Sequence, residues 1–320
     1  MNLNFEKYLL DVTGAAACEE VATIQSLWSG YGKISRYRLV ETSIETVVVK
    51  HIAPNQSNEH PRGWGTNTGH LRKTKSYEVE TAWYKHWSEL CTADCKVPDF
   101  IGAFADGGEQ WIVLEDLDMD YPRRKQNLRP VEVKVCLKWL ANFHATFLGK
   151  KPEKLWEVGT YWHLDTRPDE WERIEHHKLK ASARRIDKML NNCTYQTIVH
   201  GDAKVANFCF SENLDKVAAV DFQYVGGGCG MKDVAYLLGS CMTGQECEEL
   251  EEGLLNFYFD ELKEALPLKV NAKEIEQEWR MLYPYAVADF TRFLLGWMPT
   301  HQKVNDYSVR ITNSVLEHFK

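Results

Sequence analysis

The chain has 320 residues, of which 44% are hydrophobic and 26% charged. That balance excludes a disordered or fibrous chain, and the length predicts two domains or lobes around a sizeable core. Lys and Arg number 38 against 46 Asp and Glu, a formal net charge of −8 without any long basic run, which argues against general nucleic-acid binding.

The first third reads mostly as strands. Val21 to Trp28, Lys33 to Val40 and Thr46 to Ile52 carry short apolar or alternating runs, the last containing Val47-Val48-Val49. Spaced this closely, with Ser29-Gly30-Tyr31-Gly32 between the first two, they predict a β-meander. Residues 54–74 are polar and rich in Gly, Pro and Asn, so a long loop is expected there. Ser76 to Leu90 reads as a helix capped by Ser76, with Val79, Ala82, Trp83 and Trp87 on one face. Phe100 to Phe104 and Gln110 to Leu114 form a further strand pair around the turn Asp106-Gly107-Gly108.

Beyond Asp120 the pattern turns helical. Helices are expected over Val131 to Leu148, Asp169 to Leu190, Val234 to Cys241, Glu246 to Leu262 and Ala272 to Leu295 (interrupted at Pro284), with a last one ending near Phe319. Thr197 to Phe210 and Val217 to Phe222 read as short strands and loops. The expected fold is α+β in two lobes, a β-rich lobe over 1–117 and a helical one over 118–320.

The most informative segment is Val199-His200-Gly201-Asp202-Ala203-Lys204-Val205-Ala206-Asn207. A kinase catalytic loop uses the same H-x-D-x-x-x-x-N spacing to place a proton-accepting carboxylate and a metal-holding amide around one phosphate. On that reading Asp202 is the base, Asn207 a metal ligand, His200 the support of the loop, and Lys204 a point charge for the transferring phosphate. A plain surface turn uses the same residue types. Downstream, Val217-Ala218-Ala219-Val220 delivers Asp221 in Asp221-Phe222-Gln223, where a kinase keeps its second magnesium-binding carboxylate.

Further matches follow the same chain order. Lys50 ends its valine run, where a kinase-like lobe keeps the Lys that contacts the α- and β-phosphates. Glu78 and Glu80 compete as its acidic partner, and their spacing puts them on different faces of a helix; Glu80 is preferred. Gly30 and Gly32 form an incomplete phosphate loop or a simple hairpin turn. Trp111 to Leu117 reads as a last strand entering a hinge, with the backbone of Glu115 and Leu117 placed for an adenine edge.

Taken together, VVVK, YEVETAWY, IVLEDL, LANFHATF, HGDAKVANF, VDFQ and DVAYLL resemble the aminoglycoside phosphotransferase and choline kinase group, and within it the ecdysteroid kinase-like proteins. The resemblance spans about Gly30 to Gly239. It implies a protein-kinase-like fold that binds ATP between its lobes with Mg2+ and phosphorylates a hydroxyl of a small molecule. It also implies that Asp233 braces the catalytic loop and that His144 is a buried structural histidine. Gln223 stands where protein kinases carry a glycine, and no A-P-E signature follows, which argues against a protein substrate. A nucleotide-binding scaffold without activity and a metal-dependent hydrolase remain as alternatives.

Trp162, Tyr224, Tyr283, Trp297 and Tyr307 are candidates for an acceptor pocket, whose aromatic faces would attract a quaternary ammonium group. Otherwise they pack helices together. No apolar run reaches the ~18 residues that span a bilayer, and Met1 to Lys7 lacks the features of a secretion signal. Nine scattered cysteines suit reduced thiols, hence a cytoplasmic protein without membrane or nucleic-acid partners. Cys91 and Cys95 form one C-x-x-x-C pair with no second pair to complete a zinc site, and are read as structural.

Overall fold

A computed structural model describes residues 2–27, 30–53 and 67–319. The described chain runs α1 (Leu3–Thr13), β1 (Ala17–Ser26), β2 (Gly32–Val40), β3 (Thr46–Ile52), α2 (Asn67–His86), β4 (Phe100–Asp106) and β5 (Glu109–Glu115). It continues through α3 (Pro130–Thr146), α4 (Pro168–Glu172), α5 (His177–Asn191), β6 (Thr197–Val199), β7 (Phe208–Phe210), β8 (Val217–Ala219) and β9 (Gly226–Gly228). It closes with α6 (Met231–Cys241), α7 (Gly244–Ala265), α8 (Ala272–Trp297) and α9 (Asp306–Glu317). Two compact units result: Met1–Leu90 with Val97–Asp120, and Cys91–Lys96 with Tyr121–Lys320.

The first unit is an antiparallel sheet of order β1-β2-β3-β5-β4. The β-branched run of β3 suits a pleated, half-buried surface. Its period of two sends Val47 and Val49 to one face and Lys50 to the other. The valine face packs with Phe5 and Leu9 of α1, Tyr37 and Leu39 of β2, and Trp111 and Val113 of β5. Phe5 stacks on Trp111 with ring centroids 5.1 Å apart. Helix α1, absent from the sequence-based expectation, is capped by the Asn2 side chain and closed by Gly14 in the left-handed conformation.

Helix α2 corrects two expectations. It begins at Asn67, inside the expected loop, and Ser76 lies buried within it, donating from its hydroxyl to the Lys73 carbonyl at 2.7 Å. A tertiary contact and a pair within the helix outweigh the weak helix propensity of Gly69: the Tyr31 hydroxyl lies 2.7 Å from His70 Nδ1, and one turn on the Lys73 ammonium sits 4.7 Å over the Tyr77 ring. The helix ends at His86, and Ser88–Leu90 forms a separate tight turn. Residues 54–66 of the expected loop, with Trp28 and Ser29, lie outside the described residues.

The second unit is helical, with two two-stranded sheets, β6-β9 and β7-β8, set among the helices. The expected helix from Asp169 to Leu190 is broken into α4 and α5. His176 explains the break, since its Nδ1 accepts the Leu179 amide at 3.2 Å and caps a new start. Helix α8 runs through Pro284 without interruption. Dense burial from Leu282 to Leu294 outweighs the one lost amide. Trp162, Tyr236, Phe290, Phe293 and Leu294 form a core cluster. Tyr283 and Tyr307 are buried with their hydroxyls 3.2 Å apart, so Trp162, Tyr283 and Tyr307 are packing residues. Cys95 is buried in this unit with its sulfur beside Thr92 and Thr146.

Candidate active site

In the first unit the period of β3 turns Lys50 toward α2. Its ammonium lies 2.7 Å and 2.9 Å from the two carboxylate oxygens of Glu80, and both residues are buried. Glu78 is exposed. Gly30 and Gly32 flank the turn between β1 and β2 with φ of 71° and 128°. A Cβ on Gly32 would stand 2.0 Å from the His51 carbonyl, so close pairing with β3 requires glycine there.

At the end of β5, Glu115 donates its amide to the Asp99 carbonyl at 3.0 Å and accepts the Asp99 amide on its carboxylate at 2.9 Å. Leu117 is buried and opens a short turn to Met119. Between them sits a residue that motif reasoning passed over. Asp116 accepts from Arg36 at 2.5 Å and 3.0 Å and from the Thr46 hydroxyl at 2.8 Å. Burial alone would raise the Asp116 carboxyl, but these donors hold it below the usual carboxylate range.

In the second unit the strand β6 leads straight into His200. Both oxygens of the buried Asp233 grip the loop, accepting the amides of His200 at 2.6 Å and Gly201 at 2.9 Å. Burial, with Cys229 and Asp233 nearby, holds the Tyr258 phenol well up and protonated. Tyr258 therefore donates to His144 Nδ1 at 2.8 Å, and His144 Nε2 donates to Asp233 at 3.2 Å. Gly201 adopts φ 79°, and a Cβ there would stand 2.1 Å from the Tyr224 carbonyl. The loop can only be turned with glycine.

His200 is buried and has both nitrogens engaged. Nδ1 accepts the Asp202 amide at 3.2 Å, so Nε2 carries the proton and donates to the Val220 carbonyl at 3.0 Å. The Val220 amide donates to the Asn207 carbonyl at 3.0 Å. Val220 is thus pinned from both sides, and the next residue, Asp221, is presented with φ 68°. Its Oδ1 accepts from Gln223 at 2.5 Å.

Asp202 is 6% exposed. Its Oδ2 accepts from Lys204 at 2.9 Å and from the Asn207 amide nitrogen at 3.0 Å, and that nitrogen also reaches the Asp202 carbonyl at 2.8 Å. Its Oδ1 is buried and has no hydrogen-bond partner. Burial, with Asp202 and Tyr161 beside it, keeps the Tyr236 phenol well up. Burial would lower the Lys204 ammonium, but the Asp202 and Asp221 carboxylates outweigh it and hold it above its ordinary value.

Among the described residues no group of three or more His, Cys, Asp or Glu could hold a metal by itself. Magnesium asks for less, since it keeps waters and phosphate oxygens and takes one or two protein oxygens. Asn207 turns its amide nitrogen to Asp202 and therefore its oxygen away, and Asp221 offers a carboxylate, so the residues fit such an ion.

The ecdysteroid kinase-like family model matches residues 161–269, which include His200, Asp202, Asn207, Asp221 and Asp233. The structure of a microcompartment-associated aminopropanol kinase is 12% identical over 99% of this chain and 97% of that one, with a TM-score of 0.50. An aminoglycoside-3'-phosphotransferase of type VIII is 18% identical over 84% and 93%, with a TM-score of 0.44. An aminoglycoside phosphotransferase from Streptomyces rimosus ATCC10970, in complex with ADP and streptomycin, is 12% identical over 88% and 98%, with a TM-score of 0.45. No curated protein matches the chain significantly. The α+β, protein-kinase-like fold expected from the motifs is the fold observed, and with the family match across its His200–Asn207 loop the chain is similar to the small-molecule, kinase-like phosphotransferases.

Proposed function

We propose that the protein is an ATP- and Mg2+-dependent phosphotransferase that phosphorylates a hydroxyl of a small molecule. The observation that carries this reading is the asymmetry of Asp202. Oδ2 is fixed by Lys204 and Asn207, while Oδ1 is buried and unpartnered. A buried acceptor without a donor is rare in folded proteins and calls for a reason. An acceptor hydroxyl bonded to Oδ1 supplies one.

In that role Oδ1 accepts the hydroxyl proton as the alcohol oxygen bonds to the γ-phosphorus and the bond to ADP breaks. Lys204 keeps Asp202 in place and its ammonium beside the transferring group. Lys50, oriented by Glu80, contacts the α- and β-phosphates, and the backbone of Glu115 and Leu117 receives the adenine edge. Asn207 and Asp221 would hold Mg2+, which when bound neutralises phosphate charge. Catalysis is then mostly positioning and electrostatics, because the transferring group is loosely bonded in the transition state. A reducing, cytoplasmic setting fits nine cysteines that form no disulfide.

The reading is tested by phosphoryl transfer from γ-labelled ATP to a panel of alcohols, comparing the native chain with Asp202→Ala. Loss of a general base lowers turnover by ~10²–10⁴-fold, and nucleotide affinity is expected to stay within about twofold. Equal turnover in the two proteins would contradict the assignment of Asp202.

A further inference from the structure

One cation beside Asp202 is not used by the roles above. Lys303 lies between α8 and α9, with its ammonium 4.8 Å over the Tyr236 ring and 5.5 Å over the Phe290 ring. Among the described residues it forms no ion pair, and its amide bonds only to His301. Asp202, Lys204 and Cys241 act on it electrostatically, and Lys204 is already bonded to Asp202. Tyr161 and Trp297 pack against the cluster that holds Tyr236 and Phe290, and both are half-buried, as is Tyr224. The Tyr161 ring centroid is 5.6 Å from Tyr236 and 5.9 Å from Tyr224, and Trp297 stacks on Phe293 at 5.8 Å.

We propose that Lys303 is the specificity-determining residue of the acceptor site and selects an aromatic or similarly flat alcohol that carries a carboxylate or other anionic group near its hydroxyl. The inference deepens the phosphotransferase reading and rests on it. Aromatic faces alone would favour a cationic acceptor, but Lys303 already occupies the faces of Tyr236 and Phe290. An amine or quaternary ammonium there would add a further cation beside Lys303 and Lys204. An anion instead pairs with an ammonium that has lost part of its water and has no counter-ion of its own.

The pH dependence follows. Burial lowers Lys303 to about 8, with Lys204 adding to the shift and Asp202 opposing it. The other titrating groups facing it hold their state through that range. Lys204 is held above its ordinary value, His301 is lowered and already neutral, and Tyr236 and Cys241 are raised and stay neutral. Preference for an anion is therefore present below about pH 8 and fades as pH rises through it.

The test uses tropate and two analogues in which a methyl or an ammonium group replaces its carboxylate. Binding to the full chain without nucleotide is read by tryptophan fluorescence for the native protein, Lys303→Met and Lys303→Arg, and phosphoryl transfer is read separately. The expected order is carboxylate, then methyl, then ammonium, with ~10-fold or more between the first and last, the equivalent of about 1.4 kcal/mol. Lys303→Met should abolish that order and Lys303→Arg should keep it. Equal affinities, preference for the ammonium analogue, no binding of any probe, or an unchanged order in Lys303→Met would overturn the proposal. An intact order without phosphoryl transfer would uphold the selection by Lys303 and contradict only the phosphotransferase reading.

Discussion

Lys50 and Glu80 carry opposite charges in a setting where neither would stand alone, with side chains 5% and 2% exposed. Breaking such a pair from one side leaves a buried charge without compensation, at a cost of ~3–5 kcal/mol, whereas apolar replacement of both partners is often neutral. Glu80→Gln is therefore expected to lower stability in urea unfolding by at least ~3 kcal/mol, and Lys50→Met with Glu80→Leu to recover most of that loss. A loss below ~1 kcal/mol for Glu80→Gln would mean that the pair is not held as described. These charges were legible in the sequence because each sits in a short motif and the spacing of Glu78 and Glu80 forces a choice of face. Asp116 and Lys303 were not. The partners of Asp116, Arg36 and Thr46, come from two other strands, and Lys303 lies in a stretch without motif or periodicity. Contacts made only by folding leave no local pattern to read.

At the scale of elements, the His200–Asn207 loop is shaped by what grips it. Asp233 at the start of α6 holds two successive amides, β9 pairs with β6 just before the loop, and the end of β8 is tied to it through Val220. Strands and helices with strong patterns appeared within a few residues of where the sequence put them, β2 and β3 among them. Misplacements fell where a tertiary contact overrode a local signal. Asn67 and Gly69 look like loop residues but join α2, and His176 splits a helix that periodicity alone would continue. Pro284 is the clearest case. A proline in a helix interior forfeits an amide and costs ~3 kcal/mol relative to alanine, yet α8 passes through it because Leu282, Tyr283 and the stretch from Tyr285 to Leu294 are buried. Pro284→Ala is therefore expected to raise the thermal midpoint, with a gain of ~1–3 kcal/mol. A fall in the midpoint would show that the proline shapes α8 in a way its neighbours depend on.

For the whole molecule, the fold was legible from the order of weak signals: strands, one helix, a strand pair, then helices around a charged loop. The likeness to the aminopropanol kinase covers nearly the entire chain, while the family match is confined to residues 161–269. Among the described residues no helix is long and apolar enough to cross a membrane. The acceptor site was the least legible part, because the one proposed above draws on residues 161, 224, 236, 297 and 303, which share no segment of sequence. The central claim concerns nucleotide and metal at Asp202, Asn207 and Asp221. It is tested most directly by thermal unfolding with ATP, with and without Mg2+, of the native protein and Asp221→Asn. A ligand that binds only the folded state adds ~2.7 kcal/mol at a hundredfold excess over its Kd. The account predicts a magnesium-dependent upward shift of the midpoint in the native protein that Asp221→Asn loses. Absence of any shift with ATP and Mg2+, or an equal shift in the variant, would contradict it.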